Sequence, residues 1–299
     1  MATWHVSMRP CFHIEIVTPK KIVLNGLWFG PAKPKKVIIF IHGLTASAFS
    51  MKRIVDELVN RETAVVTFNN RGFEQVTEIK RIVGKKSRYV QAGAGHEVFT
   101  ECVDDIQGAI NFAKKTGAKN IFLAGHSTGC QKAIFWASRK GKGVRGIILL
   151  APVSDWAAEV MLQGKKRLDQ TASVARAFVR SGRKHDLLPK GKVTKRHETF
   201  DAQRILSLYT PDSLEEIFPY AQPKKNPRTF SSVRTPLLVL WAEKDEYSSK
   251  PIQEIASWFE EHLYTGEVVI VPKVGHSFKG GEKTVAGAIR RFMASDAMR

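Results

Sequence analysis

Ser127 stands between Gly125 and Gly129 in the sequence Gly-His-Ser-Thr-Gly. An apolar run, residues 120–124, precedes this pentapeptide, and a helical pattern, residues 131–137, follows it. A serine in such a strand-to-helix turn has a strained backbone and an exposed hydroxyl, and only small residues fit beside it. The helix that follows also directs its amide dipoles at any negative charge formed there. The pattern therefore predicts a nucleophile elbow with Ser127 as the nucleophile.

A serine hydroxyl becomes a good nucleophile only when a base removes its proton, and a carboxylate must orient that base. Two late loops carry these residue types. Asp245 follows the apolar run 237–241, and His276 follows the run 268–271. Both loops and the elbow lie at the carboxyl ends of predicted strands. We therefore expect Ser127, Asp245 and His276 to meet as a catalytic triad, in the chain order serine, acid, histidine.

The sequence also contains a second candidate for the triad acid, Asp155, and a second histidine near the site, His126. Asp155 follows the apolar run 144–150, and some folds of this pattern take the triad acid from the loop after that earlier strand. The sequence favours Asp245 and leaves Asp155 as the alternative. His126 lies inside the elbow, and we expect it to pack beneath the site.

The negatively charged oxygen of an acyl-transfer intermediate needs two fixed backbone donors. One is the amide of Thr128, the residue after the nucleophile. The other is expected from the loop after the run 37–41, where His42 and Gly43 permit a tight turn and the next amide belongs to Leu44. Loss of one such donor typically raises the barrier by about 3–4 kcal/mol. Leu44 and Thr128 are therefore the predicted oxyanion hole.

Strand and helix patterns alternate along most of the chain, which predicts an α/β fold with a mostly parallel sheet and helices on both faces. Several strand runs are apolar throughout, as expected of strands covered on both sides. Residues 12–29 predict an antiparallel hairpin before the first of these runs. Residues 73–95 are polar, basic and contain glycine, and we expect a long surface loop there.

Residues 153–233 interrupt this alternation, because they contain helical stretches and no convincing strand pattern. We predict a helical cap at 153–233, inserted into a core formed by residues 1–152 and 234–299. Within the cap, residues 165–196 hold eleven lysines and arginines and two aspartates, a net charge of +9. If the cap covers Ser127, its cations should surround the entrance to the site; the alternative is a solvated face with no part in catalysis. Its apolar residues should face the pocket or the core: Leu168, Val174, Phe178 and Val179.

The composition bounds where the protein acts and what it binds. No apolar run reaches the roughly 18 residues of a membrane span, residues 1–10 lack a signal-peptide pattern, and the three cysteines are unclustered. We expect a cytoplasmic protein that needs no metal or organic cofactor. The net charge of +19 suggests attraction to anionic partners, although the sequence favours the simpler explanation of a solvated, lysine-rich surface. No specific nucleic-acid binding is expected, because no zinc-finger, RNA-binding or helix-turn-helix pattern accompanies the charge. The oligomeric state is left open.

Together, these motifs resemble the α/β-hydrolase superfamily over residues 37–293. The resemblance implies that fold, with Ser127 as nucleophile, His276 as base and Asp245 as the residue that orients it. A narrower resemblance is to a branch that includes fungal siderophore esterases, although Ser248-Ser249 stands where Val-Pro is expected. The segments that carry it are Gly125–Gln131, Ala151–Asp155, Asp186–Pro189, Arg204–Leu208 and Asp245–Tyr247.

The predicted function is hydrolysis of small-molecule carboxylic esters through an acyl-enzyme, with an anionic ester as one candidate substrate. Lactonase, thioesterase, amidase and acyltransferase activities use the same residues and remain alternatives, because pocket shape decides among them. An alternative of another class is a basic binding protein on a hydrolase scaffold that has lost catalysis.

Overall fold

The computed structural model of the protein describes residues 9–295. Residues 1–8, on which part of the localisation prediction rests, lie outside this range. In the described part, ten strands form one sheet. In chain order they are β1 (Phe12–Val17), β2 (Ile22–Phe29), β3 (Lys36–Ile41), β4 (Thr63–Phe68), β5 (Thr77–Val83), β6 (Lys86–Ala92), β7 (Asn120–His126), β8 (Gly146–Leu150), β9 (Leu237–Ala242) and β10 (Gly266–Val271).

The helices cover both faces of this sheet. Over residues 9–295 they are α1 (Lys52–Leu58), α2 (Cys102–Lys115), α3 (Thr128–Ser138), α4 (Asp155–Gln163), α5 (Lys165–Arg180), α6 (Ala202–Tyr209), α7 (Arg228–Ser231), α8 (Ile252–His262) and α9 (Glu282–Phe292). α1 and α9 pack on one face, and α2, α3 and α8 pack on the other. None of the helices in this range is long and apolar enough to cross a bilayer.

The central part of the sheet is parallel, in the order β10-β9-β8-β7-β3-β4. β2 joins β4 antiparallel, and β1 pairs with β2 as the predicted hairpin. In β3, Ile38 and Phe40 belong to the apolar cluster on one face, whereas Val37 and Ile39 belong to the cluster on the other. Burial on both faces explains why this strand is apolar throughout. The predicted α/β fold class is confirmed.

The surface loop predicted for residues 73–95 is wrong. β5 and β6 form an antiparallel hairpin, which pairs with β2 and extends the sheet. Gly84 provides the positive φ of 61° in its turn. Most of its side chains are exposed, and Ile79 is buried between the outward-facing Glu78 and Lys80. A charged edge hairpin lacks the apolar run of a central strand, so its sequence resembles that of a loop.

Between β8 and β9 the structure describes helices α4 to α7 and no strand. Part of this segment has its own apolar cluster, which includes Leu168, Phe200, Ile205 and Leu208. Among the apolar residues expected to face inward, Leu168 is buried and Val174 and Phe178 pack partly against this cluster, but Val179 is exposed. The division of the chain into a core and a cap stays a prediction.

Four buried charges connect this segment to the elbow helix. Lys132 Nζ, on α3, lies 2.6 Å from Glu97 Oε1. Glu97 Oε2 accepts a hydrogen bond of 3.1 Å from Arg204 Nη2 on α6, and Arg204 Nη1 also pairs with Glu215. Each of these side chains is 2% exposed or less. We call this set the buried charge chain. Its signs alternate, so no member is buried without an opposite charge.

Candidate active site

Ser127 lies at the junction of β7 and α3 in a strained backbone conformation, with φ 53° and ψ −127°. Its amide donates a hydrogen bond of 2.9 Å to the carbonyl of Leu150. The turn is too tight for larger neighbours. A Cβ at Gly125 would lie 2.4 Å from the carbonyl oxygen of Gly129, and one at Gly129 would lie 2.4 Å from that of Ile41. The local geometry is that of the predicted elbow.

Asp245 and His276 come from the loops after β9 and β10, and they are in direct contact. Asp245 Oδ2 lies 2.9 Å from His276 Nδ1. The other oxygen, Oδ1, accepts a hydrogen bond of 3.0 Å from the amide of Tyr247. Because a carboxylate only accepts, it holds the imidazole proton on Nδ1 and leaves Nε2 as the basic nitrogen. The pair has the arrangement that an orienting acid and a general base require.

Ser127 and His276 line one cavity of about 210 Å³, together with Gly43 and Leu44 of the loop after β3. Over the described residues, no hydrogen bond joins Ser127 Oγ to His276. Such bonds between catalytic groups often tighten only when substrate binds. The structure therefore brings all three predicted triad residues to one site, and their catalytic roles stay a prediction.

Neighbouring rings fix the position of His276. The ring centroids of His126 and Tyr247 each lie 4.8 Å from that of His276. Burial, followed by the proximity of His276, lowers the pKa of His126 to about 4. The His126 ring is therefore neutral near pH 7, and its Nε2 donates to the His276 carbonyl at 2.9 Å. Glu246 Oε2 accepts a hydrogen bond of 2.9 Å from the His276 amide. Sequence reasoning assigned no role to Glu246 or Tyr247.

The predicted oxyanion donors have free amides. Thr128 is the first residue of α3, so the helix offers its amide no acceptor. The amides of Leu44 and Thr128 donate no hydrogen bond within residues 9–295. Gly43 packs against the elbow, because a Cβ there would lie 3.0 Å from that of Ser127. Burial, with the charge of Lys132 second, lowers the pKa of His42 to about 4. The oxyanion role of these amides stays a prediction.

Asp155, the alternative acid, begins α4 and lines the same cavity. Its Oδ2 accepts a hydrogen bond of 2.7 Å from Gln131 Nε2, and no contact with His276 is present in the described residues. Burial raises the pKa of the Asp155 carboxyl well above its usual range. The geometry therefore favours Asp245 as the partner of His276.

The parallel sheet, the strained serine turn and the late acid and histidine loops define an α/β-hydrolase fold. This confirms the resemblance found in the sequence. The chain belongs to the family DUF1749, described as proteins of unknown function, whose family profile matches residues 29–284. No curated protein sequence matches the chain significantly.

Solved structures similar to this chain include hydrolases from fungi and bacteria. The siderophore hydrolase EstB from Aspergillus fumigatus has a TM-score of 0.68 and 18% identity, over 99% of this chain and 100% of that one. A thermophilic esterase from Thermogutta terrifontis has a TM-score of 0.56 and 21% identity, over 95% and 98%. The carboxylesterase CesB from Bacillus subtilis has a TM-score of 0.55 and 15% identity, over 97% and 93%.

Proposed function

We propose that the protein is a serine hydrolase that cleaves carboxylic esters of small molecules. The observation that carries this proposal is the 2.9 Å contact between Asp245 and His276 beside the cavity that the strained Ser127 also lines. The esterases and hydrolases among the similar structures support the same reaction class.

In the proposed mechanism, Ser127 Oγ attacks the ester carbonyl carbon as its proton passes to His276 Nε2. The amides of Leu44 and Thr128 hold the resulting oxyanion. The intermediate then expels the alcohol, which takes the proton from His276, and an acyl-serine remains. Water attacks this acyl group and gives a proton to the same nitrogen. The second intermediate breaks the bond to Ser127 Oγ, which regains the proton as the acid leaves. Asp245 stabilises the imidazolium in both steps.

We further propose that residues 153–233 act as a cap that shapes the substrate pocket. Helix α4 contributes Asp155, Glu159 and Leu162 to the cavity wall, and Tyr209 at the end of α6 contributes to it as well. These side chains are in a position to select among esters that the triad alone would treat equally. The fold shared with the siderophore hydrolase is a reason to include siderophore esters among the substrates tested.

The first prediction concerns labelling of the nucleophile by a fluorophosphonate, which reacts with activated serines. We expect the wild type to be labelled and Ser127→Ala to be unlabelled, with esterase kcat/KM at least roughly 10³-fold lower. Ser138→Ala, at the end of the helix that follows Ser127 and outside the cavity, is the matched control and should label normally. Labelling retained in Ser127→Ala would refute the proposal, and binding of ligands without labelling would favour a non-catalytic binding protein.

A further inference from the structure

The cavity beside Ser127 has a second wall made of polar side chains that the proposed reaction does not use. Asp155 and Glu159 lie four residues apart on α4, so they share one face of that helix. Both line the cavity, and so does Tyr209. Side chains that neither attack the ester nor carry its proton are free to recognise the rest of the substrate.

The Tyr209 hydroxyl is buried without a hydrogen-bond partner, and the Glu159 carboxylate on the same cavity wall forms no hydrogen bond within residues 9–295. Glu159 is 4% exposed as a residue, but its carboxylate oxygens keep access to the cavity that it lines. The nearest ring nitrogen, His197 Nε2, is 3.7 Å away, which is too long for a hydrogen bond. Tyr209 is 3% exposed, and its hydroxyl has no partner in the same range of residues. Because folded proteins pair nearly all buried polar groups, the unpaired Tyr209 hydroxyl beside an accessible carboxylate on one cavity wall indicates a ligand group that pairs with both.

We propose that Glu159 and Tyr209 form a subsite for a neutral hydroxyl group carried by the ester away from its scissile bond. A hydroxyl fits both partners, because it donates a hydrogen bond to the Glu159 carboxylate and accepts one from the Tyr209 hydroxyl. This inference rests on the proposed function, since it names a substrate class for that same cavity.

The charges around the subsite favour a neutral group over an ion. Arg196 is exposed and also lines the cavity, with its guanidinium carbon 5.9 Å from the centroid of the Tyr247 ring. Its positive charge opposes that of Glu159. Burial lowers the pKa of His197 to about 4, so this ring adds no charge near neutral pH. Burial also raises the pKa of both Asp155 and Glu159, which disfavours the charged form of each carboxyl. A cation or an anion would therefore meet a like charge beside its partner.

The test uses acetate esters of straight-chain alcohols that differ only in the group at the far end of the chain. The ends are hydroxyl, methyl, trimethylammonium and carboxylate. Hydrolysis is measured at roughly 0.5 M salt, where a Debye length of about 4 Å removes long-range steering of the charged esters. We expect kcat/KM for the hydroxyl-ended ester to exceed that for the methyl-ended ester by roughly tenfold, as one hydrogen bond to a charged group would produce.

Variants assign this preference to the two side chains. Tyr209→Phe and Glu159→Leu should each reduce the ratio of kcat/KM for the hydroxyl-ended ester to that for the methyl-ended ester to about twofold or less, whatever their effect on the methyl-ended ester alone. Tyr264→Phe and Glu198→Leu are the matched controls, because these residues do not line the cavity. Both controls should keep the full preference.

Three results would overturn the inference. The first is equal kcat/KM for the hydroxyl-ended and methyl-ended esters in the wild type. The second is highest activity with the trimethylammonium-ended ester, which would indicate a cation site. The third is highest activity with the carboxylate-ended ester and its loss in Arg196→Gln, which would indicate an anion site at Arg196.

Binding to Ser127→Ala, measured by calorimetry, separates this inference from the proposed function, because it requires no turnover. Tighter binding of the hydroxyl-ended ester than of the methyl-ended ester, with no hydrolysis by the wild type, would support the subsite and refute the ester hydrolase. Hydrolysis by the wild type without any preference for the end group would refute only the subsite.

Discussion

His276 is held by a separate contact at each part of the residue. Asp245 binds Nδ1, and His126 and Tyr247 pack against the ring. Glu246 accepts a hydrogen bond from the backbone amide of His276. A general base must be positioned to within a fraction of an ångström, and neighbours that are themselves fixed provide that precision. The single basic nitrogen, Nε2, is thereby presented to the cavity that Ser127 lines.

The second prediction ranks the two candidate acids. Asp245→Asn should lower kcat by roughly 10³–10⁴, because an amide at this position favours the wrong imidazole tautomer. Asp155→Asn should lower it far less, because no hydrogen bond or ion pair joins Asp155 to His276 within residues 9–295. Steady-state kinetics on one activated ester compares the two variants, and circular dichroism checks that both are folded. The reverse ranking would move the acid to α4.

The third prediction concerns the pH dependence of stability. Burial lowers the pKa of His42 to about 4, below its value of 6.5 in the unfolded chain, so the unfolded state binds the extra proton. The stability contributed by neutral His42 is complete above 6.5 and is lost as the pH falls toward 4. His42→Asn keeps a polar group near Gly43 and removes the titration. Between about pH 7 and about pH 5, the wild type should lose about 2 kcal/mol relative to this variant.

Urea unfolding of both proteins at the two pH values measures this difference. Other groups titrate over the same range, and burial raises the pKa of Asp105 to about 6, which acts in the opposite direction. These contributions are common to both proteins and cancel in the comparison. If the free energy of unfolding changes equally with pH in the wild type and in His42→Asn, the lowered pKa of His42 is not the cause of the pH dependence.

At the level of elements, the elbow depends on how closely β7, α3 and β3 approach one another. The fourth prediction compares two glycines. Gly125→Ala places a Cβ 2.4 Å from the Gly129 carbonyl oxygen, so it should destabilise the protein by several kcal/mol, roughly 3 or more, or prevent folding. Gly287→Ala, on α9, meets only the Arg291 side chain at 3.6 Å and should stabilise the protein by up to about 1 kcal/mol.

Thermal unfolding of both variants makes this comparison. Equal destabilisation would mean that the loss of a glycine, and not the contact at the elbow, determines the result. A folded Gly125→Ala variant with normal stability would show that the elbow can relax.

The elements that could be predicted from sequence are those whose residue pattern reflects burial on two faces. β3, with Val37–Ile41, is of this kind, and the glycines of the elbow identify the turn after β7. The hairpin of β5 and β6 could not be predicted, because its side chains are mostly solvated and carry no continuous apolar signal. The apolar spacing over residues 96–115 predicts one continuous helix, whereas α2 begins at Cys102, after a short 3-10 turn that this spacing does not distinguish.

Some residues of the candidate site could likewise be predicted from the sequence, and others could not. Ser127, Asp245 and His276 follow strands and could be placed by their position at strand ends. Glu159 and Tyr209 could not be placed at the site from sequence. Helices of the segment 153–233 bring them to the cavity, and their positions in the sequence do not indicate that they meet there. Long-range packing of one segment on another is required to bring such residues together.

At the level of the whole molecule, the net charge of +19 is unevenly distributed. All eleven cations of residues 165–196 are exposed, and Arg196 is the member of this group that lines the cavity. The others lie elsewhere on the surface, so they influence the site through their long-range field and not through contact. The expectation that they surround the entrance stays a prediction for the rest of the group.

The fifth prediction concerns this field. With the carboxylate-ended ester, kcat/KM should fall roughly three- to tenfold as salt is raised from about 20 mM to about 500 mM, because the Debye length shrinks from about 20 Å to about 4 Å. With the hydroxyl-ended ester it should change little. An equal response of the two esters would show that the charge of residues 165–196 serves solubility only.

The buried charge chain limits how this protein can be recombined with its relatives. A chimera that takes residues 153–233 from another family member replaces Arg204 and Glu215 but keeps Glu97 and Lys132. If the donor segment lacks a cation at the position of Arg204, Glu97 and Lys132 remain as an isolated ion pair in the interior. If the donor segment carries an anion there, it places like charges side by side in the interior. Exchanges at this junction therefore require donors that match the charge at both ends, or the transfer of all four residues as a unit.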